Sequence, residues 1–169
     1  MKKFFVTASL LLSSTFIFSQ DIAGLWKGTM YNDSTRLTLP YEMLIKKEKG
    51  KYTGFTYTRF LIGGQEYYGI KKVKVSVAKD GKIVILDDKL LENNYPVPAD
   101  KSMKQLNVLD LLSGASENTL DGVFVTNMTK HFTEVTGHIN VKRTSVFTES
   151  SLMQYLQKDN TGIDVAVVK

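Results

Sequence analysis

The sequence predicts an all-β protein, an eight-stranded antiparallel meander closed into a barrel, with a C-terminal helix and a short final strand. Apolar and polar residues alternate with period two through eight successive runs, turn residues separate most of them, and the period becomes helical only near the C-terminus. A meander sheet has two open edges, and closure into a barrel removes both. A two-sheet sandwich obeys the same alternation and stays open as an alternative.

Residues 1–19 have the features of a secretory signal peptide. Lys2 and Lys3 precede an uncharged apolar run, residues 4–18, which is too short to span a bilayer, because a spanning helix needs roughly 20 apolar residues. We expect export to the periplasm or the medium, with residues 20–169 forming a single mature domain without a membrane span. A membrane anchor is the alternative interpretation of the same run.

The composition excludes several classes of site. The 169 residues contain no cysteine, so disulfides, thiol nucleophiles and Cys-based zinc sites are excluded. Loss of Lys2 and Lys3 with the signal would lower the formal net charge from +5 to +3. The other basic residues are spread along strands, and the lysine-rich run at 71–74 is typical of a solubilising sheet face. We expect no nucleic-acid partner, because such proteins usually carry a stronger, clustered basic surface.

The first predicted strand, residues 22–31, contains the only tryptophan. A glycine lies two residues away from Trp26 on each side, on the same face, and a glycine beside a large ring usually marks a close approach or a sharp bend. The second predicted strand, residues 36–47, alternates almost strictly. Pro40 within it cannot donate a ladder hydrogen bond, which indicates an edge or a bulge.

Turn residues separate the following strands, with Asp80-Gly81 as a strong hairpin signal. These strands are predicted at residues 52–61, 65–78, 82–87, 103–112, 119–127 and 132–143. Residues 88–102 carry two prolines and break the alternation, which predicts a long surface loop. Loops of this length are often functional covers or gates, and a plain connector is the alternative.

The C-terminal part changes period. Leu152, Met153 and Leu156 recur at helical spacing, and Ser150 or Thr148 can cap the start of the helix. Residues 163–168 then predict one more short strand.

This layout resembles the lipocalins and the wider calycin superfamily. The shared features are a signal peptide, Gly24-Leu25-Trp26 on the first strand, eight meander strands, Arg143 ending the eighth, a helix and a final strand. The resemblance implies that Trp26 packs across the closed end of the barrel and that Arg143 covers its ring. A guanidinium over an indole is worth roughly 0.5–2 kcal/mol. The chain departs from the family's pattern in lacking a Thr-Asp-Tyr-type triplet and a disulfide.

An eight-stranded barrel encloses either packed side chains or one small ligand. The candidate lumen residues are aromatic or methionine side chains, because tyrosine offers an apolar body with a hydroxyl that can orient an amphipathic ligand. These candidates are Tyr41, Met43, Phe55, Tyr57, Tyr67 and Phe124. We expect a binding protein for a small apolar or amphipathic molecule, with no cofactor and no enzymatic activity. The alternative is a protein-interaction module with a filled core.

Little in the sequence points to catalysis or metal binding. The only histidines are His131 and His138, and with nearby carboxylates they match no known zinc spacing. A hydrolase using His138 as a base is the weakest of the three hypotheses. Asp87 and Asp88 are adjacent, so in a regular strand they point to opposite faces and act together only at a bulge.

Overall fold

The computed structural model describes residues 21–158. The predicted signal peptide and the predicted final strand lie outside these residues. Eight antiparallel strands form one closed barrel in sequence order, which confirms the predicted meander and rules out the sandwich. The elements are β1 (Gly24–Asn32), β2 (Leu37–Glu48), β3 (Lys51–Ile62), β4 (Gln65–Val77), β5 (Ile83–Asn93), β6 (Gln105–Ser113), β7 (Asn118–Thr126), β8 (Thr136–Thr144) and α1 (Ser151–Lys158).

Strand β1 closes the barrel by pairing with both β2 and β8. Trp26 lies opposite Met43 on β2 and opposite Arg143 on β8. We call the end where β1 begins and β8 ends the closed end, and the opposite end the open end. Of the two glycines beside Trp26, Gly28 is required by close approach, since a Cβ there would overlap the carbonyl oxygen of Asn140 on β8. Gly24 has a φ of 142°, a backbone conformation that side chains rarely adopt.

The interior of the closed half is apolar and packed. Its side chains are buried and belong to one cluster: Trp26, Met43, Ile45, Val73, Val75, Ile83, Ile85, Leu109, Leu120, Ile139 and Val141. They come from seven of the eight strands, because inward positions alternate along each strand. Strand β3 contributes Tyr52, which is partly buried and packs against this cluster. Side chains of this cluster fill the closed half of the barrel.

A second apolar cluster lies on the outer face of β2, β3 and β4, where α1 covers it. Leu152, Met153 and Leu156 of the helix pack there against Leu44 and Ile70. The predicted helical spacing is therefore confirmed. Within residues 21–158, no helix is long and apolar enough to cross a membrane.

A carboxylate of the barrel holds the N-terminus of α1. Glu42 on β2 accepts hydrogen bonds from the Ser150 hydroxyl at 2.5 Å and from the Leu152 N–H at 3.0 Å. The Ser150 hydroxyl accepts a bond from the Met153 N–H at 3.1 Å, as expected of an N-cap residue. The cap thus fixes the helix to the outer face of the sheet.

Strand β5 is longer than predicted and irregular. It continues to Asn93, so the predicted 88–102 loop is wrong at its start, and only residues 94–104 lie outside strands. Two residues of β5, Asp88 and Leu91, have no partner in the pairing with β4, which marks two bulges. At each bulge the extra residue exchanges the side chains that point inward with those that point outward. The apolar residues of β5 therefore do not alternate regularly along the sequence, and the alternation pattern did not predict its second half.

The pairing between β5 and β6 covers only four residue pairs, Ile83–Leu109 to Leu86–Leu106. Beyond Leu86, β5 pairs with β4 alone, and the two neighbours separate towards the open end. Pro40 occupies a similar local edge, because β2 pairs with β1 at this residue while its pairing with β3 begins only at Tyr41.

Candidate functional site

A pocket of about 900 Å³ lies at the open end, where β5 and β6 separate. One side is formed by Phe60 and Ile62 at the end of β3 and by Lys71 on β4. The irregular part of β5 forms a second side, and residues 95–101 cover it as a loop. The connection at residues 94–104, where the sequence predicts a loop at 88–102, thus lines the pocket.

Aromatic rings form one wall of this pocket. Phe60 stacks on Tyr67 with ring centroids 5.8 Å apart, and Tyr95 of the loop meets Phe60 at 5.7 Å with a tilt of 41°. Tyr95 reaches this place because Gly69 has no side chain, and a Cβ there would overlap the Tyr95 hydroxyl. The loop thus inserts a phenol into the barrel mouth above β4.

An ion pair lies beside these rings. The Lys71 Nζ is 2.5 Å from the Asp87 Oδ2, and the side chains are 23% and 9% exposed. The same Oδ2 accepts a bond from the Gln105 N–H at 3.0 Å. Asp87 therefore joins β4 to β6 at the point where direct pairing between β5 and β6 has ended.

Below the ion pair, hydrogen-bonded side chains lead into the core. The Gln105 amide donates to the Asn107 Oδ1 at 2.8 Å, and the Asn107 amide donates to the Tyr41 hydroxyl oxygen at 3.1 Å. Burial raises the pKa of Tyr41 well above its usual value, so its phenol stays protonated. The interior thus changes from polar at the open end to apolar at the closed end.

The predicted lumen residues separate into two groups. Tyr41, Met43 and Phe124 belong to the inner cluster, and Tyr67 lies at the open end against Phe60. None of the six predicted residues lines the pocket itself.

The prediction that Phe55 and Tyr57 line the lumen is wrong. Both lie on the outer face of β3, in the cluster beneath α1. Their face is aromatic because the helix covers it, whereas Gly54 and Thr56 are the inward neighbours, paired with Ile45 and Met43.

The residues that form the pocket lie outside the predicted lumen set. Lys71 was assigned to a solvent-exposed lysine run, yet it shares the inward face with Val73. Asp87 was considered only with Asp88, and the bulge at Asp88 leaves Asp87 inward, opposite Val73. Tyr95 could have been found by asking which aromatic residue the predicted loop carries.

The closed end holds the pair implied by the resemblance. The Arg143 guanidinium lies 4.8 Å from the centroid of the Trp26 ring, which is fully buried. The indole N–H donates to the Ile22 carbonyl at 3.1 Å, and Arg143 donates to the Asp21 carbonyl. A second pocket of about 990 Å³ lies at this end, lined by strand ends and by the turn at residues 114–117, and it includes Arg143. These contacts seal the end.

The histidines lie away from the pocket ion pair. His138 is on the outer face, with its Nε2 3.0 Å from the Asp121 Oδ1, and the Asn140 amide donates to the same oxygen at 2.6 Å. His131 is exposed in the turn before β8. Among residues 21–158, no group of three histidine or acidic side chains is placed to hold a metal ion.

Comparison of the chain with known protein families, with curated proteins and with solved structures finds no match. The closed eight-stranded barrel is compatible with a lipocalin-like fold.

Proposed function

We propose that the protein is an exported, lipocalin-like binding protein for one small amphipathic molecule, held in the pocket at the open end. The observation that carries the proposal is the place of this pocket. It lies where the barrel interior changes from apolar to polar, and it combines an aromatic wall with an ion pair.

The size and composition of the pocket support this proposal. Small-molecule sites usually have volumes of roughly 300–1,000 Å³, with mostly apolar walls and a few polar groups that fix orientation. Here the apolar walls include Phe60, Leu90 and Pro96, and the polar groups are Lys71 and Asp87. An apolar body would lie along the aromatic wall, with a polar group towards the ion pair.

Export is the part of the proposal that rests on the sequence of residues 1–19 alone. A basic start and a short uncharged apolar run are the features of a cleaved signal. Mass spectrometry of the mature protein from its native host tests this directly. A mature chain beginning near Gln20 would support export, and retention of Met1 would contradict it.

Binding is tested by titrating the protein with phenylnaphthylamine, a neutral dye whose fluorescence rises in apolar surroundings. We expect saturable binding of one dye per chain, and Phe60→Ala should weaken it by about tenfold, because the variant removes the wall that the dye contacts.

Tyr31→Ala is the matched control, since it removes an exposed aromatic ring from the outer face and should leave dye binding unchanged. Equal losses in both variants, or no saturable binding to the unaltered protein, would contradict the proposed function.

A second candidate function is binding of another protein, and exposed apolar side chains favour it. Leu61, Ile62, Val97 and Met128 are more than half exposed, and all lie at the open end. Photo-crosslinking through position 128 in the native host would trap such a partner. Loss of the crosslink in Leu61→Ser, with dye binding retained, would support this candidate independently of the first.

A further inference from the structure

We propose that the ligand carries one anionic group, a carboxylate or sulfonate, that is held between the Lys71 ammonium and the Tyr95 hydroxyl. This inference rests on the proposed function and names the chemical class of the ligand. It is drawn from the polar groups of the pocket and their present partners.

The Tyr95 hydroxyl has no acceptor in the part of the chain that the structure describes. Among residues 21–158 it makes no hydrogen bond, although the side chain lines the pocket and contacts Phe60 and Gly69. Burial, followed by the nearby charge of Asp87, raises the pKa of Tyr95 to about 12, so the phenol keeps its proton. An unmet donor inside a pocket is costly unless a ligand or water accepts from it.

Lys71 lies on the same strand face as the glycine that this hydroxyl contacts. Gly69, which the hydroxyl contacts, and Lys71 lie two residues apart on the inward face of β4. An ammonium has three N–H donors, and one of them is directed to Asp87. Since Lys71 is more exposed than Asp87, the ammonium is the member of the ion pair that a ligand in the pocket can reach.

The carboxylates around the pocket already have partners. Four lysines and three aspartates line it. Asp87 accepts from Lys71 and Gln105, Asp88 pairs with Lys74 at 3.2 Å, and Asp100 accepts from the hydroxyl and the N–H of Ser102.

The lysines are less fully paired than the aspartates. Lys89 and Lys101 line the pocket and form no salt bridge within the described chain. A cationic ligand would have to compete with Lys71 for Asp87, whereas an anionic ligand meets donors that are still available. The charge balance therefore favours an anion.

The experiment compares two dyes with the same aromatic body, anilinonaphthalene sulfonate and neutral phenylnaphthylamine. We expect the unaltered protein to bind the sulfonate more tightly than the neutral dye. Tyr95→Phe removes only the hydroxyl and should weaken sulfonate binding by about tenfold, because a hydrogen bond to a charged acceptor is lost. Binding of the neutral dye should change by less than about twofold.

A double variant, Lys71→Met with Asp87→Asn, tests the cation without leaving a buried charge unpaired. The asparagine keeps an acceptor for the Gln105 N–H. We expect about tenfold weaker sulfonate binding and retained binding of the neutral dye. The matched control is Lys142→Met with Glu117→Gln, which removes a 2.6 Å ion pair elsewhere and should leave both dyes unaffected.

The outcomes separate the two proposals. Equal affinity for the two dyes, unchanged in both pocket variants, would overturn the anion inference and leave the proposed function standing. If the double variant weakens sulfonate binding and Tyr95→Phe does not, the role of Tyr95 is overturned. Absence of saturable binding of either dye would overturn both proposals. Thermal unfolding of each variant shows whether a loss of binding reflects a loss of folding.

Discussion

The two ends of this barrel are built on different principles. At the closed end, Trp26 is fully buried under Arg143, and the interior around it is apolar. At the open end, β5 and β6 separate, and the gap is bridged by Asp87 and covered by a loop that inserts Tyr95. One end is packed with apolar side chains, and the other contains a pocket of about 900 Å³ with polar groups in its walls.

This difference shows how the fold tolerates an open end whose polar groups and broken sheet pairing lower the free energy of unfolding. Buried polar groups cost free energy unless each has a partner, and a local break in a sheet removes backbone hydrogen bonds. The closed half supplies the apolar burial that holds all eight strands together. Substitutions at the closed end should therefore act on stability, and those at the open end on the loop and on binding.

The largest effect should come from Trp26→Ala. Removing a buried indole leaves a cavity in a well-packed core, which typically costs about 3–5 kcal/mol of unfolding free energy. Phe60→Ala, at the open end, should cost less than about 2 kcal/mol, because its ring already faces a pocket. Urea denaturation followed by far-UV circular dichroism measures both. Equal losses would mean that the ends do not differ.

A comparison of two glycines should give the next largest effect. A Cβ at Gly28 would meet backbone atoms of Asn140 and Val141, so Gly28→Ala must separate β1 from β8 and should cost about 2–3 kcal/mol. The three atoms nearest to a Cβ at Gly69 all belong to the Tyr95 side chain. Gly69→Ala should therefore cost less than about 1 kcal/mol, because the loop can withdraw.

Hydrogen exchange tests where each glycine substitution acts. Gly69→Ala should speed exchange in residues 94–104 and leave β1 and β8 protected. Adding Tyr95→Ser should speed the exchange of the loop little further, since the inserted ring that holds the loop is displaced by the first substitution and absent after the second. Faster exchange in β1 and β8 of Gly69→Ala would contradict the assignment of Tyr95 to the mouth.

Glu42→Ala should have a moderate effect on the outside of the barrel. The variant removes the acceptor for Ser150, Ser151 and Leu152 at the start of α1, and we expect a loss of about 1–2 kcal/mol. Dye binding at the open end should be retained. Ser150→Ala is the control for the cap alone and should cost about 1 kcal/mol. A loss of dye binding in Glu42→Ala would show that the helix supports the pocket.

The smallest effect should be a pH dependence of the free energy of unfolding that arises from Asp121. The hydrogen bond from Asn140, followed by the contact with His138, holds the pKa of Asp121 below its usual value. A lowered folded-state pKa contributes stability above the unfolded pKa of about 3.9, and this stability disappears as the pH falls through the folded value.

The Asp121 side chain is 31% exposed, so we expect only about 0.2–0.5 kcal/mol. Asn140→Ala should be less stable than the unaltered protein near pH 5, and the difference should vanish near pH 2, as measured by urea midpoints. A stability difference between the two proteins that grows at low pH would contradict the predicted direction of the pH dependence.

Much of the fold could be predicted from local patterns. Period-two alternation predicted the strands, and helical spacing at Leu152, Met153 and Leu156 predicted α1. The pairing of Trp26 with Arg143 followed from a resemblance, and the structure places the two groups in contact. The end of β5 was missed because two bulges break the alternation on which the prediction depended.

The pocket could not be predicted in the same way. Alternation separates two faces of a strand without saying which is inward, and β3 carries aromatic residues on a face that proved to be the outer one. Lys71 looked like a solubilising lysine because its neighbours are lysines. Only the pairing of β4 with β3 directs it inward beside Asp87.

The sequence by itself determined the number and order of the strands, most of their positions and the helix that follows them, because these depend on residue periodicity and turn chemistry within short segments. The tertiary structure alone decided which faces became the interior, where β5 and β6 separate and how Tyr95 meets Gly69. Those features depend on contacts between distant segments. The covering helix, the register of neighbouring strands and the bulges act together, and no single stretch of the chain contains that information.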